Sequence, residues 1–150
     1  MNKTWATKNG FTIIELLVAI VVIGILVTIT VVSYNGIQQR SRDSERASEV
    51  AQIKIAIEKY HADNSAYPPA CSGVNVGCSV TDLSPYISSY LSAIPHDPKN
   101  PLNSSTDYNY IRASVAEDSY AILVTYEAKP ACKTGANVNQ NWWGLTVPTC

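Results

Sequence analysis

The sequence predicts an α+β fold: one long N-terminal α-helix, apolar through its first half and amphipathic through its second, packed on a small antiparallel β-sheet head. Three observations predict it. Residues Phe11 to Val32 hold 17 apolar residues and a single charge. Beyond them Val50, Ile53, Ile57 and Tyr60 recur at +3, +4 and +3, which lines one face of a helix. After Tyr67 the texture changes to short apolar stretches set among Ser, Thr, Asn and Pro, the pattern of strands and turns. The 150 residues are 46% hydrophobic and 15% charged, with a formal net charge of −1. That balance excludes a disordered chain. It also lacks the basic surplus of a nucleic-acid binder, so no direct nucleic-acid partner is expected.

The apolar run reads FTIIELLVAIVVIGILVTITVV. Its 22 residues would span ~33 Å as a helix, against about 30 Å for a bilayer core. No second run of this kind exists, so the chain is expected to cross a membrane at most once. The ten residues before it carry Lys3 and Lys8 and no acid. A cleaved secretory signal fits poorly: the run is too long, and a cut behind Ser33 would have Val31 at its outer position. A plain signal anchor leaves Glu15 unexplained. An acid at mid-membrane costs roughly 2.5–3.5 kcal/mol on insertion scales and is normally paired. No Lys, Arg or His lies between Phe11 and Gln39, so the charge partner must come from elsewhere. A cut between Gly10 and Phe11 would supply one, as a new terminal amine a helical turn from Glu15 or beside the Glu15 of a second copy.

The segment Gly10-Phe11-Thr12-Ile13-Ile14-Glu15-Leu16-Leu17-Val18 resembles the processing site of type IV prepilins and pseudopilins. The resemblance implies a basic leader cut after Gly10 by a membrane-embedded prepilin peptidase, which also N-methylates Phe11. It implies that Glu15 pairs with the terminal amine of an adjacent subunit during assembly, and that a membrane assembly platform takes part. Many pilins carry a Pro near the end of this run; here Val32 stands at about that place, which puts local melting of the helix in doubt. Ala19 and Gly24 allow close approach of helices, since small residues and polar pairs decide packing where lipid and protein are equally apolar. The expected organisation is a leader at 1–10, a transmembrane and filament-core helix at 11–32, an amphipathic helix half at 33–65 and a globular head at 66–150.

Residues 33–62 hold nine charges. Arg40, Arg42, Asp43, Glu45, Arg46 and Glu49 form a mixed-sign block, and the pairs Asp43–Arg46 and Lys54–Glu58 would add ~0.2–0.5 kcal/mol each. The favoured expectation is a solvated face, the alternative pairing between subunits. Tyr67-Pro68-Pro69 cannot continue a helix, which places its end near Asp63 to Ser65. In the head, Thr81–Leu91 predicts a short helix or turn broken by Pro85, and Pro95, Pro98 and Pro101 an extended loop. Strands are expected around Tyr108–Ala113, at Tyr120–Tyr126 as the central one, and at Trp142–Val147, where Trp142 and Trp143 would face opposite ways. The stretch Tyr90 to Pro98 with Tyr108-Asn109-Tyr110 is similar to the head of major pseudopilins. Those heads carry calcium farther along, which makes Asp97, Asp107 and Asp118 weak candidates; ordinary turn acids are the favoured account.

Cysteines stand at 71, 78, 132 and 150, with no metal-like C-x₂-C pair. An even count in an exported head favours disulfides, and three connectivities are open. The preferred one joins Cys71 to Cys78 and Cys132 to Cys150, the latter like the C-terminal loop of pilins. His61 and His96 lack any nucleophile signature nearby, no Gly-rich phosphate loop is present, and Glu117-Asp118 reads as a turn. Asn103-Ser104-Ser105 matches a glycosylation sequon. No enzyme activity and no cofactor are expected. The sequence therefore predicts a type IV pilus subunit, anchored once in the cytoplasmic membrane as a precursor with its head outside. The alternatives are a pseudopilin of a type II secretion or DNA-uptake machine, and a monomeric membrane-anchored binding domain. Cleavage would take the formal side-chain charge from −1 to −3.

Overall fold

The computed structural model describes residues 10–69, 77–99, 107–113 and 118–150. Helix α1 runs unbroken over Ile13–Asn64. Gly24, Thr28 and Thr30 do not interrupt it, because the two threonine hydroxyls donate back to Gly24 O (2.8 Å) and Leu26 O (2.7 Å) and stay within the helical ladder. The helix stops at Ser65, whose left-handed φ of 57° and N–H bond to His61 O (2.8 Å) close its last turn before Tyr67-Pro68-Pro69.

The chain divides into two compact units, one ending at Gln38 and the other spanning Gln39–Cys150. In the first, every residue from Phe11 to Val31 is exposed. An apolar surface of that length needs lipid or other helices around it. The Ile13–Asn64 helix contains a window long and apolar enough to cross a membrane, which fits a membrane-anchored precursor.

In the second unit, the α1 residues beyond Gln38 pack on a four-stranded antiparallel sheet in the order β1 (Cys78–Ser79), β2 (Asn109–Arg112), β3 (Tyr120–Val124), β4 (Cys132–Ala136). Val50, Ile53 and Ile57 are buried, as their spacing predicts, and Ala56 joins them. They meet Tyr110, Tyr120 and Ile122 from one sheet face. The register places Tyr110 opposite Ile122 and Ile111 opposite Ala121, so alternate residues serve the two faces. The second face is covered by Trp142, packed on Ile111 and Ala121. β3 is central and buried on both sides, which is why it reads as an almost continuous apolar run.

Two expectations need correction. Trp142–Val147 is a turn and not a strand: Trp143 (φ 55°) and Gly144 (φ 86°) take left-handed backbone that no ladder accepts. The strand at that edge is Cys132–Ala136, pinned by β3 and by the chain end, where Lys133 N donates to Pro148 O and Cys150 N to Lys133 O. Pro85 does not break a helix; it lies in the first turn of α2 (Ser84–Ile87), where a missing N–H costs nothing. The sequon at Asn103, Pro101 and Glu117 lie outside the described residues.

Candidate functional site

The N-terminal site begins as local helix chemistry. Thr12 is the residue before α1, and Glu15 lies three positions on, in its first turn. Thr12 N donates to Glu15 Oε2 (2.7 Å), Thr12 Oγ1 donates to the same oxygen (2.7 Å), and Glu15 N donates to Thr12 Oγ1 (3.3 Å). This is a reciprocal capping box, and it satisfies two of the backbone donors that a helix start leaves orphaned. Within one chain Thr12 thus holds the carboxylate by hydrogen bonds, a neutral contact that leaves the question of its charge partner where the sequence put it. No cation does so among the described residues. The pattern T-x-x-E before an apolar run was the available signal. Gly10 and Phe11 are fully exposed ahead of the box, open to any processing partner.

The mixed-sign block on α1 is the second constellation: Arg40 and Glu45 are exposed, while Arg42, Asp43, Arg46 and Glu49 turn into the head. Arg46, with 3% of its side chain exposed, reaches three carboxylates. Its Nε and Nη2 donate to Asp97 at 2.6 and 3.1 Å, its Nη1 to Asp43 at 2.8 Å, and its Nη2 also to Glu127 at 2.9 Å. Arg42 forks onto Glu127 at 2.8 and 2.7 Å. Asp43 accepts the backbone N–H groups of Glu127 and Ala128, both at 2.9 Å. Only the Asp43–Arg46 pair follows the helix spacing; Lys54 instead donates to Thr134 Oγ1 (3.0 Å), and Glu58 accepts from Tyr67 and Tyr120. The network ties the loops around Asp97 and Glu127 to α1. It forms inside the head, so for Arg42, Asp43 and Arg46 the solvated-face expectation fails and pairing between subunits is not required.

The electrostatics follow from these contacts. The Arg42 fork, and then Arg46, holds the Glu127 carboxyl well below the usual range despite its partial desolvation. Burial raises Asp43, but the two loop N–H groups and Arg46 more than reverse it, so the net direction is down. Glu49 goes the other way: burial raises it, and the hydrogen bond it accepts from Tyr108 OH only partly compensates. Desolvation and Glu58 push Tyr67 up to about 12.

The calcium candidates do not converge. Asp97 faces Arg46 and caps Lys99 N (2.8 Å). Asp107 accepts from Asp97 N (3.1 Å) and Tyr108 N (2.8 Å) and meets His96 Nδ1 at 2.8 Å. Asp118 is exposed, and its carbonyl accepts from Asn137 Nδ2. Among the described residues no group of three or more acidic, His or Cys side chains is placed to hold a metal ion. His61 stacks on Tyr67 with ring centroids 4.2 Å apart. Cys132 and Cys150 are joined, as preferred from the sequence. Cys78 is also disulfide-bonded; Cys71, and with it the expected Cys71–Cys78 pair, lies outside the described residues.

Comparison with known proteins bears on the N-terminal third above all. Residues 5–31 match the family described as the prokaryotic N-terminal methylation motif. The chain is 27% identical over 144 residues to the type II secretion system core protein G of Escherichia coli K12, 93% of each chain being covered. It is 27% identical over 96 residues to the protein of that name from Klebsiella pneumoniae, which covers 61% of this chain and 69% of the relative. It is 32% identical over 73 residues to the fimbrial protein EcpC of Eikenella corrodens, about half of each chain. No solved structure matches. A methylation motif at the start of a long apolar helix, joined to an α+β head, defines a prepilin-type protein. The motif and these relatives support a protein of the type IV pilin and pseudopilin family. The motif and the relatives imply processing by a prepilin peptidase and assembly with related subunits.

Proposed function

We propose that this chain is the structural subunit of a type IV pilus: cut after Gly10, N-methylated at Phe11, and polymerised through its N-terminal helix into a surface filament. Its role is assembly, without catalysis or cofactor. The observation that carries this reading is Glu15, an acid with no cation partner among the described residues, at the head of a helix whose residues 13–31 are all exposed. Lipid can cover that surface in the stored precursor, and a bundle of like helices can replace lipid on extraction, with small residues and the Glu15–amine pair choosing the packing. The Cys132–Cys150 loop supports the surface-pilus version by its likeness to pilins, as does the fimbrial relative. A second reading, a pseudopilin in a short periplasmic filament, is favoured by the type II secretion relatives.

The capping box sharpens the test. Glu15→Gln keeps a residue that can complete the box but removes the charge. Membrane insertion is expected to persist while filaments vanish; normal filaments would refute the role of the charge. Long fibres on the cell surface by electron microscopy support the pilus, and their absence under overexpression supports the pseudopilus.

A further inference from the structure

The sheet face opposite α1 carries a cleft of about 390 Å³ bordered by Gly77, Ile111, Asn139, Asn141, Trp142 and Trp143. Ile111 and Trp142 are buried and form its base; Asn139 and Asn141 are exposed at its rim; Trp143, half buried, stands beside Gly77. None of the six is charged. The turn that makes this cleft is unusually well fixed for a surface segment. Asn141 N donates to Asn139 Oδ1 (2.9 Å), Trp142 N to Asn139 O (3.3 Å) and Gly144 N to Asn141 O (3.2 Å). Beneath it the Lys133 ammonium, on a residue 2% exposed, donates to Gln140 O (2.7 Å) and Trp142 O (3.0 Å).

Two of these features carry a free-energy cost. A buried ammonium held by carbonyls is costly, and a bulky side chain at φ 55° is an outlier that persists only where its surroundings over-determine it. Together they present one indole and two side-chain amides in a fixed arrangement. The Asn141 side chain and the Asn139 amide nitrogen have no hydrogen-bond partner among the described residues.

We propose that this cleft binds an uncharged saccharide, stacked on the Trp143 indole and hydrogen-bonded by Asn139 and Asn141. The apolar C–H face of a sugar ring matches an indole, and side-chain amides both donate to and accept from hydroxyls. An uncharged lining offers no counter-charge to a phosphate or a carboxylated sugar. A peptide adding as a strand is disfavoured at this edge, because residues 148–150 already pair with the Lys133 backbone of β4. The site is independent of whether the filament is a pilus or a pseudopilus.

The test uses the full chain in a zwitterionic detergent, since sugar-headed detergents would compete. Methyl glucoside, methyl galactoside, N-acetylglucosamine and cellobiose are titrated by saturation-transfer NMR and tryptophan fluorescence, with sialic acid and a neutral tripeptide as comparators. At least one neutral sugar is expected to bind, and sialic acid not to. Trp143→Gly removes the ring at a backbone position that Gly accepts readily. It should weaken binding by about tenfold or more with near-UV dichroism of the tyrosine core unchanged. Asn141→Ala, exposed and harmless to folding, gives a second reading in the same direction. No binding by any of the four sugars, undiminished binding in both variants, or equal binding of the tripeptide would overturn the proposal.

Discussion

Arg46→Met removes the hub of the head's ionic network while keeping an unbranched apolar stem. Four hydrogen bonds to Asp43, Asp97 and Glu127 disappear together. Glu127 keeps the Arg42 fork and Asp43 keeps two backbone N–H groups, so those carboxylates are only partly orphaned. Asp97, 4% exposed, loses the guanidinium that faces it and keeps the Lys99 N–H, so it loses its charge partner but not every hydrogen bond. Breaking a buried pair from one side costs about 3–5 kcal/mol, most of it from the charge left behind. For a head of this size that corresponds to a fall of about 10–20 °C in the melting temperature. The assay is thermal melting of the full chain followed by near-UV dichroism, which reads the buried tyrosines and not the exposed apolar helix. Arg46→Lys should recover only part of the loss, since an ammonium cannot reproduce the planar fork on Asp97. Asp97→Asn added to Arg46→Met should cost less than the two changes summed. A fall under about 1 kcal/mol for Arg46→Met would refute the reasoning and return the block to the solvated surface that its sequence suggests.

Gly135→Ala places a Cβ 2.1 Å from Tyr120 O and 2.8 Å from Ala121 Cα, where only backbone could yield; it should cost about 3 kcal/mol by denaturant titration, with β3 and β4 separating. Acid should loosen the head. Glu127 and Asp43 sit below their ordinary values of 4.5 and 3.8, so the stability they contribute is full above those values and is lost as pH falls below them. Glu49, raised by burial, has the opposite sign and flattens the slope, and Glu127→Gln should flatten it further in melts taken between neutral and acid pH. Cys132→Ser with Cys150→Ser opens a loop of sequence separation 18 and should lower stability by ~3 kcal/mol, and reduction of the native chain, which also opens the disulfide at Cys78, should lower it further.

The parts of this molecule that are local in sequence were legible there. Val50, Ile53 and Ile57 repeat within one helix, Tyr67-Pro68-Pro69 cannot be helical, and the alternation around Tyr110 and Tyr120 needs only neighbours. The Asp43–Arg46 pair was visible as an i,i+3 contact. Its meaning was not, because Asp97 and Glu127 lie 51 and 81 residues from Arg46, and nothing in composition announces such partners. β4 was missed for a related reason. Cys132-Lys133-Thr134-Gly135-Ala136 has little strand propensity, and tertiary pairing with β3 and the chain end overrides it. Trp142–Val147 misled in the opposite sense: its residues favour strands, yet the Asn139–Asn141 turn and the left-handed Trp143 decide otherwise. At the N-terminus the motif was legible in full, and only the Thr12–Glu15 box went unread, although its spacing is a helix-start signature.

The measurement that tests the central claim most directly is the intact mass and N-terminal sequence of the protein recovered from cells that carry a prepilin peptidase. A chain that begins at Phe11 and bears one added methyl group is the predicted result. A chain that still begins at Met1, or begins anywhere beyond Phe11, would contradict the assembly role assigned to Glu15.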